Sequence, residues 1–228
     1  MNKPQIKVDV VSDVVCPWCY IGKRRLEKAI DRLKGDFDVV VEYHPFELNP
    51  DLPAEGVSQK EYFRAKFGSD EKVRQLTGHV TSVAATEGLH FDFARQQVSP
   101  NTLNAHRLIA FAKEAGLQHQ MKEALMRGYF EEGMDLSKLD NLVEVAAAVG
   151  LDREKTTVFL KSDALTADVQ SAERTNRQRG ITGVPFFIVN GKYGISGAQP
   201  AEVLVQALTE IGAVPADGEA CDVDDPNC

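Results

Sequence analysis

The stretch VVSDVVCPWCYIGKRRLEKAI, residues 10–30, decides how this chain is read. A run of apolar β-formers ends at Cys16, a second cysteine follows at Cys19, and an amphipathic, basic pattern then begins. Upstream, IKVDVV (6–11) is a β-branched strand signal, and downstream Ile21, Leu26, Ala29, Ile30 and Leu33 recur at helical spacing until Gly35. DVVVEY (38–43) reads as a second strand. Strand, helix and strand make a βαβ unit with parallel strands and a right-handed crossover. The two cysteines therefore sit where the first strand hands over to the first helix.

That position has chemical meaning. A helix N-terminus presents unsatisfied N–H groups and the positive end of the macrodipole. A thiolate placed there is stabilised, and the thiolate is the species that attacks in disulfide exchange. Cys16 is then the attacking sulfur, expected to be exposed at the helix start. Cys19, one turn on, is the sulfur that closes the disulfide and releases the substrate. Pro17 suits the first turn because no N–H is needed there. A C-x-x-C pair is also half of a zinc site, or a pair of inert buried cysteines. A zinc site wants a second close pair or histidines, whereas the other two cysteines, Cys221 and Cys228, are distant and separated by six residues. No metal is expected.

The rest of the chain frames this unit. Residues 58–180 carry a succession of helical patterns, mostly closed by glycine, with Ser58 and Glu61 placed as a capping box. FFIV (186–189) and YGIS (193–196) flank Asn190-Gly191, a hairpin signal, and AEVLVQALTEI (201–211) is a last amphipathic helix. The order βαβ, helices, ββα places one small mixed sheet in the outer segments, with the helices as an excursion from it. The expected division is a discontinuous sheet domain over 1–50 and 181–212, a helical insertion over 51–180, and an acidic tail over 213–228.

Composition narrows the function classes. The chain has 228 residues, 43% of them apolar, and a formal net charge of −8. That charge argues against a nucleic-acid or membrane-surface binder, and no apolar stretch is long enough to span a bilayer. The N-terminus MNKPQIKVDVVSD does not read as a signal peptide, because Asp9 and Asp13 break its apolar run. A cytoplasmic location is expected, where four cysteines are more often redox, catalytic or metal-binding than structural.

A second motif sharpens the redox reading. TGVPFFI places Pro185 at the start of a strand, where it donates nothing to the ladder. It is either a trans strand-initiating proline or a cis Val184–Pro185 bond packed beside the cysteines. The cis form exposes the Val184 backbone to an extended substrate that pairs like an added strand.

CPWC after a first strand, TGVPFFIVNG before a hairpin and a helical block between them resemble the DsbA-like thioredoxin-fold oxidoreductases. DVVCPWCYIGKRRLE, YHPFELNP and SPNTLNAHRLIAFA resemble the FrnE subgroup, and the likeness runs over about residues 6–212. The resemblance implies an α/β thioredoxin-like fold with a large all-helical insertion. It also implies thiol–disulfide exchange, or disulfide isomerisation, on protein thiols and unfolded polypeptides. Cys16 takes the nucleophile role, Cys19 the resolving role and Pro185 the cis-proline role. Pro-Trp between the cysteines, in place of the Pro-His of DsbA, implies a less oxidising couple. Kappa-class glutathione transferases and 2-hydroxychromene-2-carboxylate isomerases share the architecture, with serine where Cys16 stands. A glutathione-dependent small-molecule enzyme, with glutathione as co-substrate, is therefore one alternative, and a chaperone-like binding protein is another.

The remaining candidates each carry two readings. Trp18 is a contact surface for substrate or is partly buried against the insertion. Asn101, Thr102 and His106 line a groove over the cysteines or form a cap and a core-facing helix. Asp13 accepts the Cys19 proton through a water or is a loop acid with local hydrogen bonds. Lys23, Arg24 and Arg25 read as the solvated face of the first helix. His44 reads as a strand-end residue, and His79, His90 and His119 show no metal-ligand spacing. Asp222, Asp224, Asp225 and Asn227 begin like a calcium loop, but the chain ends before its late glutamate. Cys221 and Cys228 are either a second redox pair exchanging electrons with Cys16–Cys19 or terminal cysteines with no role.

Overall fold

A computed structural model describes residues 3–213. The expected second pair, Cys221 and Cys228, lies outside the described residues. Strand β1 (Gln5–Ser12) leads into helix α1 (Pro17–Leu33) and returns through β2 (Asp38–Pro45), parallel to β1 with Val8 beside Val41 and Ser12 beside Pro45. Late in the chain, β5 (Phe186–Val189) pairs antiparallel with β1, and β6 (Tyr193–Ser196) pairs antiparallel with β5. The sheet order is β2-β1-β5-β6, so β1 is central and both sequence ends share one sheet. Asn190 and Gly191 turn the β5–β6 hairpin with φ of 51° and 69°. Both values lie in the left-handed region that a type I′ turn requires and that Asn-Gly tolerates.

Alternation along β1 builds two layers. Ile6, Val8 and Val10 face α1 and the last helix, α9 (Ala201–Gly212), where they meet Leu26, Ala29, Leu204 and Leu208. Each fully buried aliphatic side chain of this kind contributes roughly 1.5–3 kcal/mol. Val11 faces the other way, into a smaller cluster with Phe46, Ile181 and Ile188.

Between β2 and β5 lie two short strands and seven helices: β3 (Val57–Ser58), α2 (Gln59–Phe67), α3 (Asp70–Thr86), β4 (Val98–Ser99), α4 (Leu103–Glu114), α5 (Gln118–Phe130), α6 (Leu139–Ala148), α7 (Arg153–Lys161) and α8 (Thr166–Gln178). The mixed α/β, thioredoxin-like fold with a large helical insertion is as the sequence implies. The β3–β4 ladder was not expected, because two-residue strands carry no alternation signal. The expected α2 cap is present, with Ser58 Oγ accepting from the Glu61 N–H at 3.5 Å. The largest apolar cluster belongs to the helices, and it includes Cys16, Cys19, Tyr20 and Ile21 from α1. The start of α1 is thus shared between the sheet layer and the inserted helices.

The basic run on α1 corrects the sequence reading. It is not a solvated face: Lys23 is 5% exposed, and Lys23 and Arg24 both bind Glu123 of α5. Arg25 Nε donates to Glu87, the residue that ends α3, at 2.6 Å, and Lys28 binds the other Glu87 oxygen at 2.6 Å. These charges fasten the insertion to the helix that begins at the cysteines. The hydrogen bonds and positive charges around Glu123 outweigh its burial and hold its carboxyl down at about 2.

One glycine sets how closely α1 approaches the β5 segment. A Cβ at Gly22 would stand 3.0 Å from Pro185 Cγ, 3.4 Å from the Phe187 ring and 3.5 Å from Ala198 Cβ. Gly22→Val is expected to cost about 1–3 kcal/mol through overpacking. The expected signature is a lower urea midpoint at unchanged m value, and an unaltered midpoint would contradict this tight contact.

Candidate active site

Cys16 is the N-cap of α1, with extended dihedrals (φ −91°, ψ 113°), and Pro17 follows in the first turn. The Cys16 carbonyl accepts from the Cys19 N–H at 3.0 Å and from the Tyr20 N–H at 3.4 Å. This places the Cys16 side chain at the positive end of the helix and brings Cys19 onto the same turn. The Val184–Pro185 peptide is cis, the alternative that puts Val184 beside the cysteines. The Cys16 thiol donates to the Val184 carbonyl at 3.5 Å, and the Pro185 carbonyl accepts from the Gly197 N–H at 2.9 Å. The expectation of an exposed Cys16 needs correction. It is only 4% exposed, about as buried as Cys19 at 3%.

Access to Cys16 comes through a cavity of about 420 Å³ that it lines together with Val15, Pro17, Trp18 and Val184. The opposite walls are Tyr62, Phe63 and Phe67 of α2, Leu76 and His79 of α3, and the Phe93, Tyr129 and Phe130 cluster. Trp18 is half in and half out, 37% exposed, with its ring 6.2 Å from that of His79. Both readings of Trp18 therefore hold in part: it packs on the insertion and it faces the cavity. Among the described residues Lys66 is the one lysine at this lining, with its ammonium 2.8 Å from the Tyr62 hydroxyl.

Behind the cysteines lies a buried polar cluster. Asp13 is fully buried and accepts from the Val14 N–H at 2.7 Å and the Leu48 N–H at 2.8 Å, and it pairs with His106 Nε2 at 3.2 Å. Burial drives its carboxyl upward, but these hydrogen bonds prevail and hold it below the usual aspartate range. The reading of Asp13 as a loop acid with local hydrogen bonds holds only for Val14, because Leu48 and His106 come from distant segments. Lys122 of α5 is 1% exposed and donates to the Ser12 carbonyl at 3.4 Å. Burial lowers its amine to about 8, against the opposing pull of Cys19, Asp13 and Cys16. Burial and the adjacent Cys16 push the Cys19 thiol well above the ordinary cysteine range.

Of the second groove candidates, none lines the cavity beside Cys16. Asn101 binds the carbonyls of Pro50 and Leu52 and caps the Leu103 N–H, Thr102 is buried, and His106 serves Asp13. The cap-and-core reading is therefore correct for all three. His44 is held by Asp9 at 3.0 Å and His119 by the Val41 carbonyl at 2.9 Å. Asp9, Glu42 and His44 come within 4.8 Å of one another. Lys7, 3.1 Å from Asp9, and Lys113, 2.5 Å from Glu42, already neutralise both carboxylates.

The sequence reading missed Lys122, the Asp13–His106 pairing and the aromatic wall from α2. Lys122 left a faint signal. It stands four residues before Met126 and seven before Tyr129, on the apolar stripe of its helix, where a lysine is out of place.

Comparison with known proteins accords with this geometry. A family model described as a DSBA-like thioredoxin domain matches residues 7–209. The chain belongs to the DsbA-like thioredoxin-domain family, whose members act as thiol–disulfide oxidoreductases. It is 30% identical over 207 residues to the uncharacterised protein YwbO of Bacillus subtilis, spanning 90% of this chain and 96% of that one. A probable DsbA oxidoreductase from Streptomyces coelicolor superposes with a TM-score of 0.84 at 36% identity, over 96% of this chain and 97% of that one. The fold is also shared with the cytosolic disulfide reductase DsbM of Pseudomonas aeruginosa, solved with GSH. There the TM-score is 0.61 at 18% identity, over 90% of this chain and 98% of that one.

A buried carboxyl pair beside this site gives a pH signature. Glu173 Oε1 accepts from the Glu47 N–H at 2.9 Å, and Glu47 Oε2 has no hydrogen-bond partner among the described residues. Burial, then Glu173, then Asp13 raise the Glu47 carboxyl to about 7. The folded state therefore binds a proton that the unfolded chain has lost, and stability falls as pH rises from the ordinary glutamate range through about 7. Glu47→Gln is expected to stabilise the protein at pH 8 by about 1–2 kcal/mol, the linkage value being reduced by solvent screening. At pH 5 the same substitution is expected to be near neutral. Urea titrations at the two pH values check this, and an equal effect at both would disprove the raised carboxyl.

Proposed function

We propose that the chain is a thiol–disulfide oxidoreductase acting through Cys16 and Cys19 on cysteines of extended or unfolded polypeptides. The observation that carries this reading is the Cys16 thiol, seated at a helix N-terminus against the Val184 carbonyl and opening into an aromatic cavity. In the reductive direction, the Cys16 thiolate attacks a substrate disulfide. A mixed disulfide forms and the first substrate thiolate leaves. Cys19 then attacks the Cys16 sulfur, the Cys16–Cys19 disulfide forms, and the second substrate thiolate departs with the remaining electron pair. The oxidative direction is the reverse, and isomerisation combines both. Val184 offers its backbone to the substrate strand beside Pro185, and Trp18 with the α2 aromatics receives an apolar side chain near the reacting cysteine.

In this proposal a sheet domain over 1–50 and 181–212 supplies the thiols, and a helical insertion over 51–180 supplies most of the cavity wall. Membership of the FrnE subgroup and a cytoplasmic site of action belong to the same proposal. No helix among the described residues is long and apolar enough to cross a membrane. Glutathione is a second reading, as the small thiol that recharges the pair or as co-substrate. A cavity of about 420 Å³ with Lys66 at its wall suits a small anionic thiol, and a fold neighbour was solved with GSH.

Insulin reduction driven by dithiothreitol tests the first reading. Cys16→Ser is expected to abolish turnover, and Cys19→Ser to accumulate mixed disulfides visible as mass-shifted adducts. Wild-type turnover by Cys16→Ser would remove the pair from the mechanism. Conjugation of small electrophiles to glutathione, retained in Cys19→Ser, would favour the glutathione-dependent reading instead.

A further inference from the structure

Cys16 is 4% exposed, and much of what covers it is one arm of the chain, residues 60–79. This arm is α2 beyond Gln59 and the first half of α3. None of its residues is buried, although Tyr62, Phe63 and Phe67 are half-buried. It rests largely on open space. Phe63, Thr77 and the facing Phe93 line the cavity beside Cys16, and they also line another cavity of about 380 Å³ that reaches Lys60, Val73 and Ala94. Among the described residues no ion pair joins the arm to the rest of the chain. Its one hydrogen bond between side chains across that boundary runs from the Tyr62 hydroxyl to Asn49.

Both ends of the arm are fixed. Gln59 is buried, and its N–H donates to the Gln97 carbonyl at 3.0 Å beside the β3–β4 ladder. At the other end Val80 and Ala84 are buried, and Glu87 is held by Arg25 and Lys28. The boundary between the unburied and buried halves of α3 falls at Gly78. A glycine inside a helix weakens it. Packing does not demand this one, since a Cβ there would meet nothing within 4 Å. Thr77 Oγ1 donates to the Val73 carbonyl at 2.8 Å, and Ser82 Oγ donates to the Gly78 carbonyl at 2.9 Å. Such back-bonds bend helices. Features that let a helix flex thus cluster where its burial stops.

We propose that residues 60–79 are a gate over Cys16 that opens about Gly78 and sorts substrates by size. The inference rests on the reading of Cys16 as the exchanging thiol. Closed, the gate leaves a cavity of about 420 Å³, room for a small disulfide but not for a length of polypeptide. A substrate strand lying along Val184 must pass Trp18, whose ring stands 6.2 Å from that of His79 on the arm. Opening parts these two rings and uncovers Cys16. The arm has no fully buried side chain to expose, so the motion costs little, as lids over reacting groups require.

Gly78→Ala tests this without touching the cavity, because Gly78 does not line it. Alanine favours the straight helix and meets no neighbour, so the urea midpoint is expected to hold or rise. Release of the first thiol is timed with hydroxyethyl disulfide and with a disulfide-bonded polypeptide such as insulin. The variant is expected to react with the polypeptide about fivefold more slowly, the full helix preference of alanine over glycine, and with the small disulfide at the wild-type rate. Amide exchange followed by NMR reads the motion directly. In the wild type, residues 74–77 are expected to exchange at least about tenfold faster than residues 83–86 of the same helix, and Gly78→Ala is expected to narrow that gap. An unchanged ratio of the two disulfide rates in the variant, or equal protection of the two halves of α3 in the wild type, would overturn the gate. A wild-type protein that reacts with neither disulfide would instead overturn the exchange reading, and the amide exchange would still decide whether the arm opens.

Discussion

The buried carboxylate of Asp13 is the constraint from which the site is built. It stands one residue past the end of the central strand, and its three partners come from three segments: Val14 beside it, Leu48 after β2, and His106 on α4. A charge taken fully out of water is tolerated only when hydrogen bonds replace its hydration. Satisfying Asp13 therefore requires the strand end, the loop after β2 and the inserted helix α4 to meet in one arrangement. That arrangement directs the chain into the turn that makes Cys16 the N-cap of α1. It also leaves the Ser12 carbonyl facing Lys122 from α5. The acid and the lysine compensate each other in part, so the region behind the cysteines is polar while the region in front is aromatic.

The insertion is held to this turn by charge as well as by apolar packing. Glu123 accepts from the Tyr20 hydroxyl at 2.6 Å and from Lys23 at 2.6 Å, and it also pairs with Arg24. Glu87 is shared by Arg25 and Lys28. Exposed ion pairs contribute little, but Lys23, Arg25 and Glu87 are largely shielded, so these charge-assisted bonds act at lower dielectric. Both contacts radiate from the first three turns of α1. The helix that carries the thiols is therefore also the element on which the cavity wall is hung, and a shift of the insertion would be felt directly at Cys16.

Local features of this fold were plain in the sequence, and long-range ones were not. The apolar alternation of β1, the Asn-Gly hairpin, the CPWC at a strand-to-helix junction and the proline before β5 each announce themselves within a few residues. Glu123 and Glu87 are far in sequence from the α1 bases they bind, and no local pattern marks such a pairing. Lysine and arginine are mostly exposed, so Lys23, Arg24 and Arg25 read as solvated until the structure brought two glutamates onto them. His106 was equally hidden, since its meaning comes only from Asp13, and Lys122 left only its place on an apolar helical stripe. The β3–β4 ladder is too short to leave a period at all.

Burial gives the two sulfurs separate duties. Cys19 sits where desolvation and its neighbour keep it a thiol at neutral pH, so it does not compete for the substrate disulfide. Cys16 has the helix terminus, the Val184 carbonyl and the open cavity, so the first attack falls to it. Once Cys16 is in a mixed disulfide, Cys19 faces a neighbour with no charge to develop, and one obstacle to its ionisation is gone. The remaining obstacle is the low dielectric around it. Behind this turn the buried Lys122, its amine lowered by burial to about 8, is the nearby titratable group of opposite tendency. An aromatic front and a titratable rear are thus what a two-step exchange at a single helical turn requires.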